Sequence, residues 1–160
     1  MSDPSADGSP LLLVPAGSDR DGERRSMGIT TLAFKVATRD TGGRLFVIEQ
    51  TNHTKGGPPR HVHPDQDEWF YAIEGAFVAE VGGRSERLTA GDSLLAPRGI
   101  PHVWAFVGDG IGRLLVAFTP AGKMEAFFHE VTRTEAMPAQ DPALWLAHGM
   151  RVVGPPLSVD

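Results

Sequence analysis

The sequence predicts an all-β domain of short antiparallel strands, followed by two short helices. Three observations carry that prediction. Across 160 residues, 19 glycines and 13 prolines fall as punctuation between short apolar runs, the spacing of strands joined by turns. Gly82-Gly83 separates Ala76–Val81 from Arg84–Leu88, and a Gly-Gly pair supplies the positive φ angles of a tight hairpin. Beyond Pro120 the period changes: Met124, Phe127, Phe128 and Val131 fall at i, i+3, i+4 and i+7, one apolar face of a helix.

The elements follow in order along the chain. Residues 1–10 are acidic and polar without an apolar core, so they read as a disordered terminus and not as a signal peptide. Arg20 to Arg25 is the nearest thing to a basic cluster. Because Asp19, Asp21 and Glu23 interleave with it, it reads as a solvated loop. Ile29 to Thr38 and Arg44 to Thr51 are rich in β-branched and aromatic residues, with Thr41-Gly42-Gly43 as the turn between them. After the Gly-Gly hairpin, Ala90-Gly91-Asp92 leads into Ser93–Ala96, and Gly108-Asp109-Gly110 joins Val103–Val107 to Gly112–Phe118. Asp141-Pro142 is an N-cap followed by proline at the first helical position, and Gly149 is placed to end that helix. The expected organisation is a flexible segment over 1–25, a β domain over 26–119, and helices with a tail over 120–160 packed on it.

Composition excludes several function classes. With 41% hydrophobic and 22% charged residues the chain carries enough apolar material for a core. Fifteen basic against twenty acidic residues give −5, which opposes binding to a phosphate backbone. The absence of cysteine excludes disulfides, thiolate metal sites and thiol nucleophiles. Leu11–Val14 and Leu114–Phe118 are far too short to span a bilayer. The expectation is a soluble, cytoplasmic protein with a small-molecule partner, no nucleic acid and no membrane.

The chemistry concentrates in His61-Val62-His63-Pro64-Asp65-Gln66-Asp67-Glu68. Alternation along a strand points His61 and His63 the same way, roughly 6.6 Å apart along the chain. Two imidazoles at that separation can converge on one ion through nitrogen bonds of about 2.1 Å. The turn at Pro64 to Gln66 can bring the Glu68 carboxylate back to the same ion. His53, His129 and His148 carry no such pattern and read as ordinary surface or packed histidines.

Further on come Gly75, Gly91, and Pro97-Arg98-Gly99-Ile100-Pro101-His102. Together these residues read His-x-His-x4-Glu-x6-Gly and Gly-x5-Pro-x-Gly-x2-His, the two signature motifs of the cupin superfamily, and the chain resembles a small single-domain cupin. The segment between them, 76–90, contains the Gly-Gly hairpin that cupins place there. Two positions depart from the pattern. Lys55 stands where a glycine usually opens the first motif, and Phe106 where asparagine usually ends the second. By parity Phe106 shares a strand face with His102 and Trp104, which predicts a more apolar pocket wall.

The resemblance implies an antiparallel jelly-roll barrel, a double-stranded β-helix. It implies four metal ligands, His61, His63, Glu68 and His102, holding one divalent transition metal ion (Fe, Ni, Co, Mn, Cu or Zn) on nitrogen and oxygen donors alone. Asp67 to Gly75, Phe118-Thr119-Pro120-Ala121-Gly122 and Val152 to Leu157 are similar to the quercetin dioxygenase branch of small bacterial cupins, so that the likeness runs over roughly residues 26–157. That branch implies a dioxygenase acting on a flavonol-like or other enolisable aromatic compound, with dioxygen as co-substrate and Glu68 as general base. Phe70, Trp104, Phe106, Phe127 and Phe128 would line the substrate pocket. The alternatives are a non-oxidative isomerase or polyketide cyclase, and a small-molecule binding or sensor module without catalysis. Cupins of this size often pair through a sheet edge, and Ile29–Val36 is the expected edge for a homodimer.

Overall fold

A computed structural model gives the architecture and describes residues 11–134 and 141–160. The expectation of a disordered terminus over 1–10 lies outside those residues. The strands are β1 (Arg25–Met27), β2 (Thr30–Val36), β3 (Phe46–Asn52), β4 (His61–Val62), β5 (Asp67–Glu74), β6 (Phe77–Val81), β7 (Arg84–Leu88), β8 (Ser93–Ala96), β9 (His102–Phe106), β10 (Gly112–Thr119) and β11 (Arg151–Val152). The helices are α1 (Met124–Thr132) and α2 (Pro142–Ala147). The strands form two antiparallel sheets, ordered β1-β2-β3-β10-β5-β8 and β11-β4-β9-β6-β7. This is the expected jelly roll, with its short helices at the C-terminal end. No helix among the described residues is long and apolar enough to cross a membrane.

The core lies between the sheets, and alternation builds it. On β3 the buried positions are Phe46, Ile48, Gln50 and Asn52; on β5 they are Glu68, Phe70 and Ala72. The β6–β7 hairpin turns through Gly82 at φ 57° and Gly83 at φ 84°, values a β-carbon would oppose. Helix α1 buries Met124, Phe127, Phe128 and Val131, the four residues its period selects. Phe128 packs against Phe46 and Phe118, with ring centroids 6.1 and 6.0 Å away. Helix α2 is capped by Asp141, whose carboxylate accepts from the Ala143 amide at 3.0 Å.

The structure corrects one expectation and bears on two others. Residues 19–25 are no solvated loop: Asp19, Arg20 and Arg25 are buried, because opposite charges pair across the fold. The outer edge of β2 is already covered, by β1 at Thr30 to Leu32 and by the Arg20 amide, which donates to the Phe34 carbonyl at 2.7 Å. A pairing of two chains through Ile29–Val36 would have to displace that cover. Phe106 is fully buried in the core, its ring held over Gly75, Gly108 and Gly112.

That last contact yields a stability prediction. A β-carbon at Gly112 would sit 2.3 Å from Phe106 Cδ2, inside any tolerable contact. Overpacking of this kind costs about 1–3 kcal/mol, so Gly112→Ala is expected to lower the melting temperature by roughly 2–12 °C. Thermal melts of Gly112→Ala, Phe106→Leu and the double variant check the cause. If ring and methyl collide, the two losses fail to add.

Candidate metal centre

Four residues from three strands and one turn meet at one end of the space between the sheets. His61 opens β4 and sits opposite His102, the first residue of β9, in the ladder. His63 follows β4, and Glu68 lies on β5 of the opposite sheet, between Ala96 and Phe118. All four are buried, and one donor atom from each lies within 4.8 Å of the others.

The hydrogen bonds orient each imidazole. His61 Nδ1 lies 2.7 Å from the Pro59 carbonyl, which can only accept, so Nδ1 carries the proton. Gln66 donates through Nε2 to the carbonyls of Pro120 and Ala121 at 2.8 and 3.0 Å, which turns its Oε1 toward His63. His63 Nδ1 then donates to that oxygen at 2.6 Å. His102 Nδ1 faces the Ile100 carbonyl at 3.4 Å. Each Nε2 is thereby left facing inward, at 3.8, 3.0 and 2.7 Å from Glu68 Oε2 for His61, His63 and His102. The three Nε2 atoms and a carboxylate oxygen converge, with His102 Nε2 hydrogen-bonded to Glu68 Oε2 at 2.7 Å, and a cation fits in place of the bridging proton. His63 Nε2 has no hydrogen-bond partner among the described residues.

Two pKa shifts, those of His61 and Glu68, agree with that donor set. Burial pushes His61 below its usual value. Burial opposes charge on Glu68 as well, but His102 and His63 hold its carboxyl well below the ordinary range. His63 is raised, the adjacent Glu68 carboxylate outweighing burial. A neutral His61 and an ionised Glu68 are the states a metal ion needs. The residues fit such an ion, and an imidazole anchored through Nδ1 to a carbonyl oxygen is the usual support of a metal-binding Nε2. Cutting the Gln66 support, as in Gln66→Leu, is expected to weaken metal affinity by about 10–100-fold. Competition against a chromophoric chelator measures this.

A cavity of about 140 Å³ opens from the cluster. Trp104, Phe118, Phe127 and Phe128 line it, together with Trp145, Met27, Met124 and Met150. Of the five expected pocket residues, the structure thus places Trp104, Phe127 and Phe128 at the cavity. Phe70 and Phe106 are not among its lining residues. Phe70 packs in the core with its ring 6.4 Å from Trp104, and Phe106 packs on Phe77 at 5.4 Å. Phe106 shares a face of β9 with Trp104, both rings meeting Phe77, but there that face meets packed core.

Some lining residues escaped the sequence reading. The Trp145 ring lies 4.9 Å from His61 and 5.1 Å from Phe127; its position on a capped helix was the available signal. Thr30, Gln50 and Asn52 also line the cavity. The alternation Phe46, Ile48, Gln50, Asn52 already put two amides on an inward face. His53, His129 and His148 lie outside the cluster.

Two sheets closed over a buried three-histidine, one-glutamate cluster define a jelly-roll protein with a candidate metal centre. Residues 49–118 match the cupin domain family, and both histidine motifs lie within that stretch. The chain is 30% identical over 141 residues to Endoribonuclease YbeY of Myxococcus xanthus (strain DK1622), a match covering 80% of this chain and 48% of that protein. It is 27% identical over 77 residues to polyketide synthase CurC of Streptomyces cyaneus, covering 48% of this chain and 50% of that one. The chain therefore spans about half the length of the curated relatives it matches. Among solved structures, the polyketide cyclase RemF of Streptomyces resistomycificus superposes with a TM-score of 0.53 at 25% identity, covering 68% of this chain and 80% of that one.

Proposed function

We propose that this chain is a metal-dependent enzyme that forms and holds the enolate of a small aromatic or 1,3-dicarbonyl compound. The observation that carries this reading is the convergence of three Nε2 atoms and a carboxylate at an aromatic-lined cavity. His61, His63, Glu68 and His102 would hold one divalent transition metal ion, for which nitrogen and oxygen donors suit Fe, Ni, Co, Mn, Cu and Zn alike. When bound, the ion supplies Lewis-acid polarisation of a carbonyl and a positive charge beside the enolate oxygen. Glu68 accepts the substrate's hydroxyl or α-carbon proton. Trp104, Phe118, Phe127 and Phe128 hold the substrate and exclude water.

The enolate has two fates. Reaction with dioxygen makes the chain a dioxygenase of flavonol-like compounds, the reading that residues 67–75 and their resemblance to the quercetin dioxygenase branch support. Ring closure or isomerisation without dioxygen is the second reading. It is favoured by the likeness to the polyketide cyclase RemF and to polyketide synthase CurC.

The test loads the protein with each of the six ions and supplies flavonols and β-diketones. Exchange of α-protons in D2O reads enolisation, an oxygen electrode reads the oxidative fate, and anaerobic product analysis reads the other. Exchange that Glu68→Gln abolishes is the expected result. Absence of exchange, oxygen uptake and product with every ion and compound overturns the proposal and leaves a binding module.

A further inference from the structure

The inward face of β3 changes character partway, and only its far part lines the cavity. Phe46 and Ile48 are followed on the same inward face by Gln50 and Asn52, 5% and 1% exposed. The ladder sets their distance from the imidazole cluster. Phe118 of β10 pairs with Phe46 on one side and with Glu68 on the other, so Phe46 lies level with Glu68. Gln50 and Asn52 are four and six positions further on, roughly 13–20 Å along the strand. The cavity reaches both ends, since Glu68, Gln50 and Asn52 all line it.

Asn52 is built into this far end in a specific way. Its Oδ1 accepts from Thr30 Oγ1 at 3.2 Å, across the β2–β3 register that pairs Thr30 with Asn52. That bond fixes the amide and leaves Nδ2 as a buried donor with no hydrogen-bond partner among the described residues. Buried polar groups are nearly always paired, and an orphaned donor facing a cavity is a place where a ligand acceptor gains most.

We infer that Asn52, held by Thr30 and beside Gln50, is a specificity-determining residue that donates a hydrogen bond to a carbonyl, ether or phenolate oxygen at the far end of the ligand. The ligand class is then an elongated, mostly apolar molecule with two oxygen functions, an enolisable head at the imidazole cluster and an acceptor at Asn52. Its head chemistry rests on the function proposed above; the far acceptor does not.

The test uses methyl benzoate and propylbenzene, two probes of similar shape that form no enolate and differ in the ester oxygens. Binding to the zinc-loaded protein is followed by the fluorescence of Trp104 and Trp145, which line the cavity. Asn52→Leu is expected to weaken methyl benzoate about tenfold, the loss of one hydrogen bond, and to leave propylbenzene within twofold. In the parent protein, the Asn52 side-chain N–H resonances are expected to move with methyl benzoate and stay with propylbenzene, a readout independent of how the variant folds. Equal changes for both probes, or unmoved Asn52 resonances with methyl benzoate bound, overturn the inference. Such a result alongside metal-dependent exchange leaves the enolate reading standing. Moved resonances in a protein that takes up no metal sink the enolate reading alone.

Discussion

Replacing His102 with alanine is expected to reduce bound transition metal from near one ion per chain to less than about a tenth of that, because removing a ligand outright costs more affinity than the roughly 10–100-fold of losing an outer support. His102 contributes the shortest contact to Glu68, at 2.7 Å, and its Nδ1 is turned toward a carbonyl, so its Nε2 has no other task. Removing the ring also leaves the Glu68 carboxylate with one imidazole fewer to hold it ionised in a buried place. Metal analysis by mass spectrometry on protein purified without an affinity tag is the measurement. His53→Ala serves as control, since the His53 ring is exposed and meets the Thr31 hydroxyl away from the cluster, and it should leave uptake unchanged. A second consequence follows from linkage: at 100 times its dissociation constant, a ligand that binds only the folded state adds about 2.7 kcal/mol. The melting temperature of the parent should therefore rise with added metal and that of His102→Ala should not. Equal metal content in parent and variant would sink the assignment of His102 as a ligand.

The four-residue cluster was legible because its members sit at fixed spacings beside turns, and turns leave marks in sequence. The Gly-Gly hairpin, the Asp141-Pro142 cap and the i, i+3, i+4, i+7 face of α1 were legible for the same local reason. What sequence withheld depends on which strands lie side by side. Parity told which residues share a face with Glu68, and Phe70 and Ala72 are indeed buried with it. Parity cannot say whether a buried residue meets a cavity or solid core. Phe70 and Phe106 met the core, whereas Phe127 and Phe128 meet both. Asn52 gains its meaning only once Thr30 is known to pair with it across β2 and β3. The charged stretch at 19–25 misled in the same way: alternating signs in sequence look solvated, yet in space they neutralise one another.

Asp19→Ala is expected to cost about 3–5 kcal/mol, the range for leaving a buried charge without its partner. For a chain of this size that corresponds to a fall of roughly 6–20 °C in melting temperature. The carboxylate is the hub of the N-terminal segment. Its Oδ2 accepts from Arg25 Nε and from the Phe34 amide, both at 2.8 Å, and its Oδ1 from the amides of Asp21 and Glu23 at 2.8 and 3.2 Å. Alanine would orphan those amides and leave Arg25 with Asp21 as its one remaining carboxylate among the described residues, its guanidinium still stacked 3.7 Å over the Phe34 ring. The pH dependence has a definite sign. Burial opposes charge on Asp19, but Arg25 and the backbone amides outweigh it and hold the carboxyl below its ordinary value. A depressed carboxyl contributes stability that is fully present above the unfolded value of about 3.9 and is lost as pH falls through the folded value. The gap between the parent and Asp19→Asn should therefore be constant near neutrality and narrow below about pH 4, as denaturant melts across pH would show. The effect is expected to reach the cavity as well, because Arg25 Nη1 donates to His129 Nδ1 on α1 at 3.3 Å, and α1 carries Phe127 and Phe128. Weaker binding of apolar probes with unchanged metal content would show that the N-terminal ion cluster holds the aromatic wall in place while the imidazoles, fixed by β4 and β9, keep their positions without it.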